Sequence, residues 1–280
     1  MRHHRLGPTL TTTLGGLLFA VALSLFAATG KAAEPQAAAE ETGAKQMTAL
    51  PADKIPIPIR RAVQAPDRPQ RDKERDAGRK PEQVLAFFGV RPGMRVLDLW
   101  AGAGYSTELL ARIVGPKGRV YSQNRKFPPK LARFEQAWRD RMARLTNVVP
   151  IEKPLSAPDV FASIPTGSLD MVLTQLNYHD MARDSVDRQR LNRELFRLLK
   201  PGGVYGVSDN SAEPGSGVRD ATTLHRIDEA VVVREVKGAG FKLVAASDAL
   251  RNPSDDRHQG VFTMRGQQDR FLLKFVKPAD

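Results

Sequence analysis

Apolar positions along the chain follow two alternating spacings from about residue 80 onward. Short apolar runs typical of buried strands lie at 95–99, 119–123, 148–151, 169–176, 204–207, 241–246 and 270–276. Apolar residues recur at helical spacing at 81–88, 106–114, 129–145, 184–199 and 227–237. Because strands alternate with helices, the pattern predicts βαβ units and a mainly parallel sheet covered on both faces, an α/β fold.

The N-terminal region has a different pattern. A basic start at residues 2–5, an apolar run over 14–28 and the small residues Ala32 and Ala33 are typical of a secretory signal peptide, which we place at 1–33. The alternative is an uncleaved membrane anchor, but the run is shorter than the roughly 20 apolar residues of a spanning helix. We therefore expect export to the periplasm, with no stable membrane insertion after cleavage.

The charge is concentrated before the predicted core. Residues 34–66, without apolar periodicity, are expected to be a disordered leader, and 67–280 the folded domain. Loss of 1–33 removes three basic residues and no acid, which lowers the net charge from +12 to +9. The segment 60–80 holds eight Lys or Arg, four acids and no aromatic residue. Nucleic-acid interfaces combine basic with aromatic side chains, so we interpret this segment as a solvated linker or an arm on the domain and expect no nucleic-acid partner.

Cysteine and histidine usage limits the chemistry. The chain contains no cysteine, which excludes disulfides, thiolate metal sites and cysteine nucleophiles. His3 and His4 fall within the predicted signal peptide. The other three, His179, His225 and His258, are far apart and show no metal-ligand spacing. The sequence therefore predicts no metal site.

A glycine-rich segment follows the first predicted strand. Gly102 and Gly104 there allow the backbone to come close to a ligand, and the N-terminus of the following helix favours a negative group. A dinucleotide fingerprint would need a third glycine where Thr107 stands, and a P-loop would need Gly-Lys-Ser/Thr. Ligands of open parallel sheets bind at the carboxyl ends of the strands, and an adenosyl or dinucleotide ligand, or a carboxylate, suits this position.

Several motifs, in order and spacing, resemble those of class I S-adenosylmethionine-dependent methyltransferases. The segment from Asp98 to Gly104 is similar to their first motif, and Leu-Lys-Pro-Gly-Gly at 199–203 is typical of them. From about Pro66 to the C-terminus, the chain more closely resembles a group of predicted, often exported bacterial methyltransferases. The shared features are an Arg/Asp-rich lead-in at 71–79, Leu-Ala-Phe-Phe-Gly at 85–89, an acid-φ-Trp-x-Gly-x-Gly loop and Asn-x-His-Asp at 177–180.

The resemblance implies a Rossmann-like three-layer sandwich with a seven-stranded, mostly parallel sheet, an antiparallel last strand, and S-adenosyl-L-methionine as cofactor. The cofactor-binding residues that we predict are Asp98, Trp100, Gly102, Gly104, Asn124 and Asn177. Asn124 would face the ribose, without the charge of the usual acid, and Trp100 replaces the first glycine of the motif. For Asp98 a second interpretation stays open, in which it caps the loop amides without touching a ligand.

Residues for the chemistry are expected beyond the fourth predicted strand. Methyl transfer is an in-line displacement that needs an aligned nucleophile and the exclusion of water. The predicted catalytic residues are His179, Asp180 and Tyr178. His179 would take a proton from the acceptor, with Asp180 or Asp209 orienting its ring. Alternatively, His179 caps the following helix or ties down the loop, and Tyr178 is a pocket wall rather than an acid.

Two classes of function are compatible with these residues. The first is an S-adenosylmethionine-dependent methyltransferase that acts on a small molecule or an envelope component. The second is an exported, non-catalytic ligand-binding protein that keeps the fold. Trp100, Asn124 and the poor membrane permeability of a charged cofactor favour the second, whereas the retained loop and His179 favour the first. The enzyme is the preferred interpretation.

Overall fold

The computed structural model describes residues 44–264 and 266–279. The predicted signal peptide at 1–33 lies outside the described residues. Within them, eight strands form one sheet: β1 (Lys45–Met47), β2 (Arg95–Leu99), β3 (Arg119–Asn124), β4 (Val148–Glu152), β5 (Leu169–Gln175), β6 (Leu199–Asn210), β7 (Lys242–Ser247) and β8 (Arg270–Val276). Their order across the sheet is β1-β7-β8-β6-β5-β2-β3-β4.

Nine α-helices accompany the sheet in the described part of the chain: α1 (Ile57–Val63), α2 (Gln70–Arg79), α3 (Pro81–Phe88), α4 (Tyr105–Val114), α5 (Ala132–Arg144), α6 (Tyr178–Arg183), α7 (Arg188–Leu198), α8 (Glu229–Gly238) and α9 (Val261–Met264). None of these helices combines the length and the apolar character that a membrane crossing requires.

Side chains alternate between the two faces of the sheet, and each face has its own core. Val96 of β2 packs in the cluster that contains residues of α1, α3 and α4. Its neighbours Leu97 and Leu99 point the other way, into the cluster formed with α6, α7 and α8. This alternation follows from the two-residue period of a strand. The predicted three-layer α/β sandwich is therefore confirmed.

The direction of the last strand agrees with the prediction, whereas the number of strands does not. β8 runs antiparallel to both β6 and β7, and the remaining strands are parallel to their neighbours. The expected seven-stranded sheet has an eighth strand because β1 pairs with β7 at its outer edge. Only three residues long, β1 is too short to show an alternating pattern. It pairs with a strand edge that would otherwise be open.

The expected disordered leader at 34–66 is wrong over 45–63, where the chain forms β1, a 3-10 turn and α1. Ile55, Ile59 and Ala62 from this segment are buried against α3 and α4. Pro56 and Pro58 interrupt the segment, and only Ile57 lies between them. Apolar periodicity therefore did not reveal the helix. Pro58 lies in its first turn, where the missing N–H is tolerated.

The mixed-charge segment 60–80 is an arm that lies on the domain. Arg141 of α5 forms ion pairs with Asp72 of α2 and with Glu108 of α4, and all three side chains are 2% exposed. Asp76 of the arm accepts hydrogen bonds from Arg68 at 2.7 Å and from the Tyr105 hydroxyl at 2.6 Å. The charges of Arg68, Asp72 and Asp76 are thus paired inside the domain, which agrees with the arm interpretation and not with a solvated linker.

Substitution of Arg141 by alanine would leave two buried carboxylates without their shared cation. We expect Arg141→Ala to lower the free energy of unfolding by about 3–5 kcal/mol, the usual cost of breaking a buried ion pair. Urea denaturation followed by circular dichroism measures it. The control is Arg139→Ala on the same helix, whose side chain is 51% exposed, and we expect no measurable change there. Equal effects of the two substitutions would contradict the structural role of Arg141.

Candidate cofactor and acceptor site

A cavity of about 300 Å³ opens at the carboxyl ends of β2, β3 and β4. Trp100, Leu155 and Val186 give it apolar walls, and Gln123 and Asp187 contribute polar atoms. The volume lies at the lower end of the range for small-molecule sites. Its position agrees with the expectation that a ligand binds where the parallel strands end.

Trp100 forms one wall of this cavity. Its backbone adopts the left-handed conformation, with φ of 56°. The backbone N–H of Trp100 donates to Gln123 Oε1 at 3.0 Å, and its backbone carbonyl accepts from Asn177 Nδ2 at 2.8 Å. The Arg125 guanidinium lies over the indole, 5.3 Å from the ring centre. Left-handed backbone at a bulky residue is strained, and the bonds from both sides hold it in place.

Asn124 has a different role from the one expected. Its amide accepts from the N–H of Gly102 at 2.9 Å and donates to the carbonyl of Gly102 at 3.0 Å. The side chain is therefore turned toward the loop backbone, away from the cavity wall. The prediction that Asn124 binds the ribose is wrong for this reason. Gln123 and Arg125, on either side of it, line the cavity instead.

The two glycines of the loop differ in their surroundings. Both have positive φ, 59° for Gly102 and 82° for Gly104. A Cβ on Gly102 would meet no atom within 4 Å, whereas one on Gly104 would lie 2.9 Å from Arg141 Cδ. Gly102 thus leaves open space above the loop. Gly104 instead lets Arg141 of α5 pack against it, and its cofactor contact stays a prediction.

Asp98 lies beneath the loop rather than at the cavity wall. Its carboxylate accepts a 2.5 Å hydrogen bond from the Thr107 hydroxyl, which also contacts Ser122 Oγ at 2.9 Å. Burial raises the pKa of Asp98 to about 7. The side chain thus joins β2 to α4, a structural role close to the alternative interpretation, although its partner is a hydroxyl and not a loop amide.

His179 is held by Asp209, at the end of β6. Its Nδ1 lies 2.7 Å from Asp209 Oδ1, and its backbone N–H donates to Oδ2 of the same carboxylate at 2.8 Å. Burial alone would lower the pKa of His179, but the charge of Asp209 outweighs it and the pKa is raised. Of the two orienting partners considered, Asp209 is the one on Nδ1. The alternative in which His179 caps the following helix is wrong, because Asn177 occupies the N-cap position of α6 and the His179 ring bonds Asp209.

Asp180 and His225 complete this cluster. Asp180 Oδ1 lies 3.4 Å from His179 Nε2 and 3.8 Å from His225 Nδ1. The two imidazole rings meet edge to face, with centres 5.4 Å apart. Burial and the nearby His179 lower the pKa of His225. His225 has left-handed backbone, with φ of 56°, which histidine adopts more readily than most residues.

Tyr178 does not belong to the site, which corrects its predicted catalytic role. The side chain is 0% exposed, and its hydroxyl donates to Glu235 at 2.9 Å and accepts from Asn192 at 3.0 Å. Burial holds the pKa of this hydroxyl well above its usual value. As the first residue of α6, Tyr178 points into the core shared with α7 and α8, whereas His179, one position on, faces the end of β6.

Helix α6 connects the cavity with the histidine cluster. Arg183, at its end, contacts Asp180 in the cluster and donates to Asp184 Oδ1 at the cavity at 2.8 Å. Asn177, just before the helix, bonds the Trp100 carbonyl. The residues that sequence reasoning missed at the cavity and cluster are Gln123, Arg125, Asp184, Asp187 and His225. Gln123 and Arg125 lie at the end of a predicted strand, and Asp184 and Asp187 lie at the start of a predicted helix. His225 carries no such signal, since it lies in an irregular stretch.

Comparison with known proteins shows that the chain is similar to methyltransferases. Residues 80–134 match the family model of Protein-L-isoaspartate(D-aspartate) O-methyltransferase (PCMT). A ubiquinone/menaquinone biosynthesis C-methyltransferase of Vibrio parahaemolyticus is 30% identical over 182 residues, 64% of this chain and 66% of the relative. That of Yersinia pestis bv. Antiqua is 31% identical over 183 residues, 64% of this chain and 68% of the relative.

The chain belongs to the class I S-adenosylmethionine-dependent methyltransferases. It spans only about two thirds of the length of these curated relatives. The solved geranyl diphosphate C-methyltransferase of Streptomyces coelicolor A3(2), in complex with Mg²⁺, geranyl diphosphate and S-adenosyl-L-homocysteine, superimposes with a TM-score of 0.52 at 17% identity. The match covers 78% of this chain and 89% of the neighbour, and supports the fold.

The cavity fits the cofactor of this family. Trp100, Leu155 and Val186 offer apolar surface to a nucleobase, and Asp187 and Gln123 offer polar atoms to a ribose. Asn177 Oδ1 is buried and has no hydrogen-bond partner among the residues that the structure describes. A buried orphan acceptor beside the loop suits a donor such as the cofactor's ammonium group. These residues therefore form a candidate S-adenosyl-L-methionine site.

Proposed function

We propose that this chain transfers the methyl group of S-adenosyl-L-methionine to a small-molecule acceptor. The observation that carries the proposal is the arrangement of α6, with the nucleoside-sized cavity at one end and the buried His179–Asp209 pair at the other. The curated relatives, which are C-methyltransferases of ubiquinone/menaquinone biosynthesis, support a small acceptor. When bound, the cofactor supplies an electrophilic methyl group.

The residues of the chain divide between binding and activation. Trp100 provides the stacking wall for the nucleobase, and Asn177, which anchors the loop through the Trp100 carbonyl, offers its free oxygen to the methionine end. His179 activates the acceptor, because its Nδ1 is held by Asp209 and its Nε2 lies on the side of Asp180. A buried, fixed imidazole acts without having to reorganise during the reaction.

The finer assignment, to exported bacterial methyltransferases, is also part of the proposal. It is supported by the basic start and the apolar run at 14–28, and by the lead-in at 71–79. We expect the protein purified from a periplasmic fraction to begin at Ala33 or Glu34. N-terminal sequencing measures this, and a chain that keeps Met1, or that is confined to the cytoplasm, would contradict export.

The cofactor site is tested at Trp100. We expect Trp100→Gly, which removes the indole and suits the left-handed backbone, to weaken binding of S-adenosyl-L-homocysteine about 5- to 100-fold, the usual range for a lost base–aromatic stack. Calorimetric titration with the cofactor and its demethylated product measures the affinities. Phe134→Ala, an exposed aromatic residue outside the cavity, is the control.

Other outcomes of this titration are equally informative. Tighter binding by Trp100→Gly would mean that the indole fills the nucleobase position and does not stack on it. No heat from the unaltered protein with either ligand would contradict the enzyme and favour the non-catalytic ligand-binding protein.

The activating role of His179 is tested with S-adenosyl-L-methionine that carries an isotopically labelled methyl group. The protein is incubated with this cofactor and an extract of small molecules, and the labelled product is measured. We expect His179→Ala to lower labelled product at least about 100-fold, a typical contribution of a positioned acid–base group, while the affinity for S-adenosyl-L-homocysteine stays the same. His258→Ala, in an exposed loop, is the matched control. Loss of cofactor binding in His179→Ala would instead make His179 a structural residue.

A further inference from the structure

We propose that His179, Asp180 and His225 bind one divalent transition-metal ion at the acceptor end of the site. The metal, rather than a free imidazole, would then activate the acceptor. This second statement rests on the proposed methyl transfer, whereas metal binding does not.

The three ligand atoms already lie at nearly the right spacing. One ligand atom of each of His179, Asp180 and His225 lies within 4.8 Å of the other two. Asp180 Oδ1 is 3.4 Å from His179 Nε2 and 3.8 Å from His225 Nδ1. Ligands at about 2.1 Å from a tetrahedral ion are themselves about 3.4 Å apart. Two of the three spacings therefore need to close by a few tenths of an ångström at most.

The end of β6 positions both histidines. Asp209 is fully buried and holds His179 Nδ1 at 2.7 Å, which directs Nε2 toward Asp180. The next residue, Asn210, donates from its side-chain amide to the carbonyl of His225 at 3.0 Å. A carboxylate on the far nitrogen of an imidazole is the usual support of a metal-binding histidine. Asp209 thus orients the ring of His179, and Asn210 fixes the backbone of His225.

The ligand set selects the class of ion. Two imidazoles and one carboxylate suit zinc, ferrous iron or cobalt, whereas calcium and magnesium prefer oxygen ligands throughout. Three protein ligands leave at least one coordination position for an oxygen of the acceptor.

Metal binding would change the reaction step in a defined way. A hydroxyl bound to such an ion has a lowered pKa and releases its proton to solvent. The resulting oxygen forms the new C–O bond as the C–S bond breaks, and the sulfonium becomes a neutral thioether. His179 Nε2 then serves as a ligand and takes no proton.

Arg183 provides an internal check on this proposal. Its guanidinium contacts Asp180 and is 27% exposed, so it can move away when a cation takes the carboxylate. As long as the guanidinium stays on Asp180, its positive charge repels the metal ion. Removal of this charge should therefore increase metal affinity, an effect that a merely structural cluster would not show.

The test is titration of the full chain with Co²⁺, followed by its visible absorption bands and by calorimetry, and repeated with Zn²⁺. In every protein His3 and His4 are replaced by glutamine, and no histidine tag is present. We expect one ion per chain. His225→Asn, which tolerates the left-handed backbone, and Asp180→Asn should each bind at least about 100-fold more weakly, and Arg183→Gln several-fold more tightly. His258→Asn is the matched control and should bind as the parent does.

Circular dichroism and binding of S-adenosyl-L-homocysteine are measured on the same samples. A folded parent that binds this nucleoside but takes up no stoichiometric metal would overturn the metal site and leave the proposed function standing. Unchanged metal affinity in both His225→Asn and Asp180→Asn would also overturn it. Stoichiometric metal lost in these variants, with no nucleoside binding by the parent, would support the metal site and contradict the proposed function.

Discussion

The buried carboxylate of Asp209 is the interaction on which the acceptor side of the site depends. It accepts hydrogen bonds from the backbone N–H and Nδ1 of His179 and from the N–H of Asn210, so both oxygens have partners although the side chain is 0% exposed. A buried carboxylate without such donors would be costly. Because β5 and β6 are neighbours in the sheet, this one group fixes where α6 begins.

Backbone strain is concentrated at the same edge of the sheet. Trp100, Leu176 and His225 are non-glycine residues with φ between 56° and 59°, each close to the carboxyl end of a strand or to the cluster. Each left-handed residue of this kind costs on the order of 1–3 kcal/mol and persists only where surrounding bonds enforce it. Two such bonds are present here. The side-chain amide of Asn177 donates to the carbonyl of Trp100, and that of Asn210 donates to the carbonyl of His225. Strain of this kind is typical of functional sites.

The sequence predicted the elements of the fold better than the contacts of the site. The first predicted strand, 95–99, coincides with β2, and the other predicted strands overlap observed ones. Strands of this kind can be predicted because local apolar spacing determines them. The His179 loop was identified because it follows such a strand. The cluster partner His225 was not, since a long connection separates it from His179 and only tertiary packing joins them. The roles of Asn124 and Tyr178 were wrong because sequence gives the strand end but not the direction of a side chain.

The shared position of Arg141 couples two parts of the molecule that are distant in sequence. Its guanidinium bonds Asp72 of the arm, while its stem packs under Gly104 in the loop. Glu108 of α4 holds the same guanidinium, so this one side chain joins the arm, the loop and α4. Any coupling between ligand affinity and arm docking would pass through Arg141, and it would act equally in both directions.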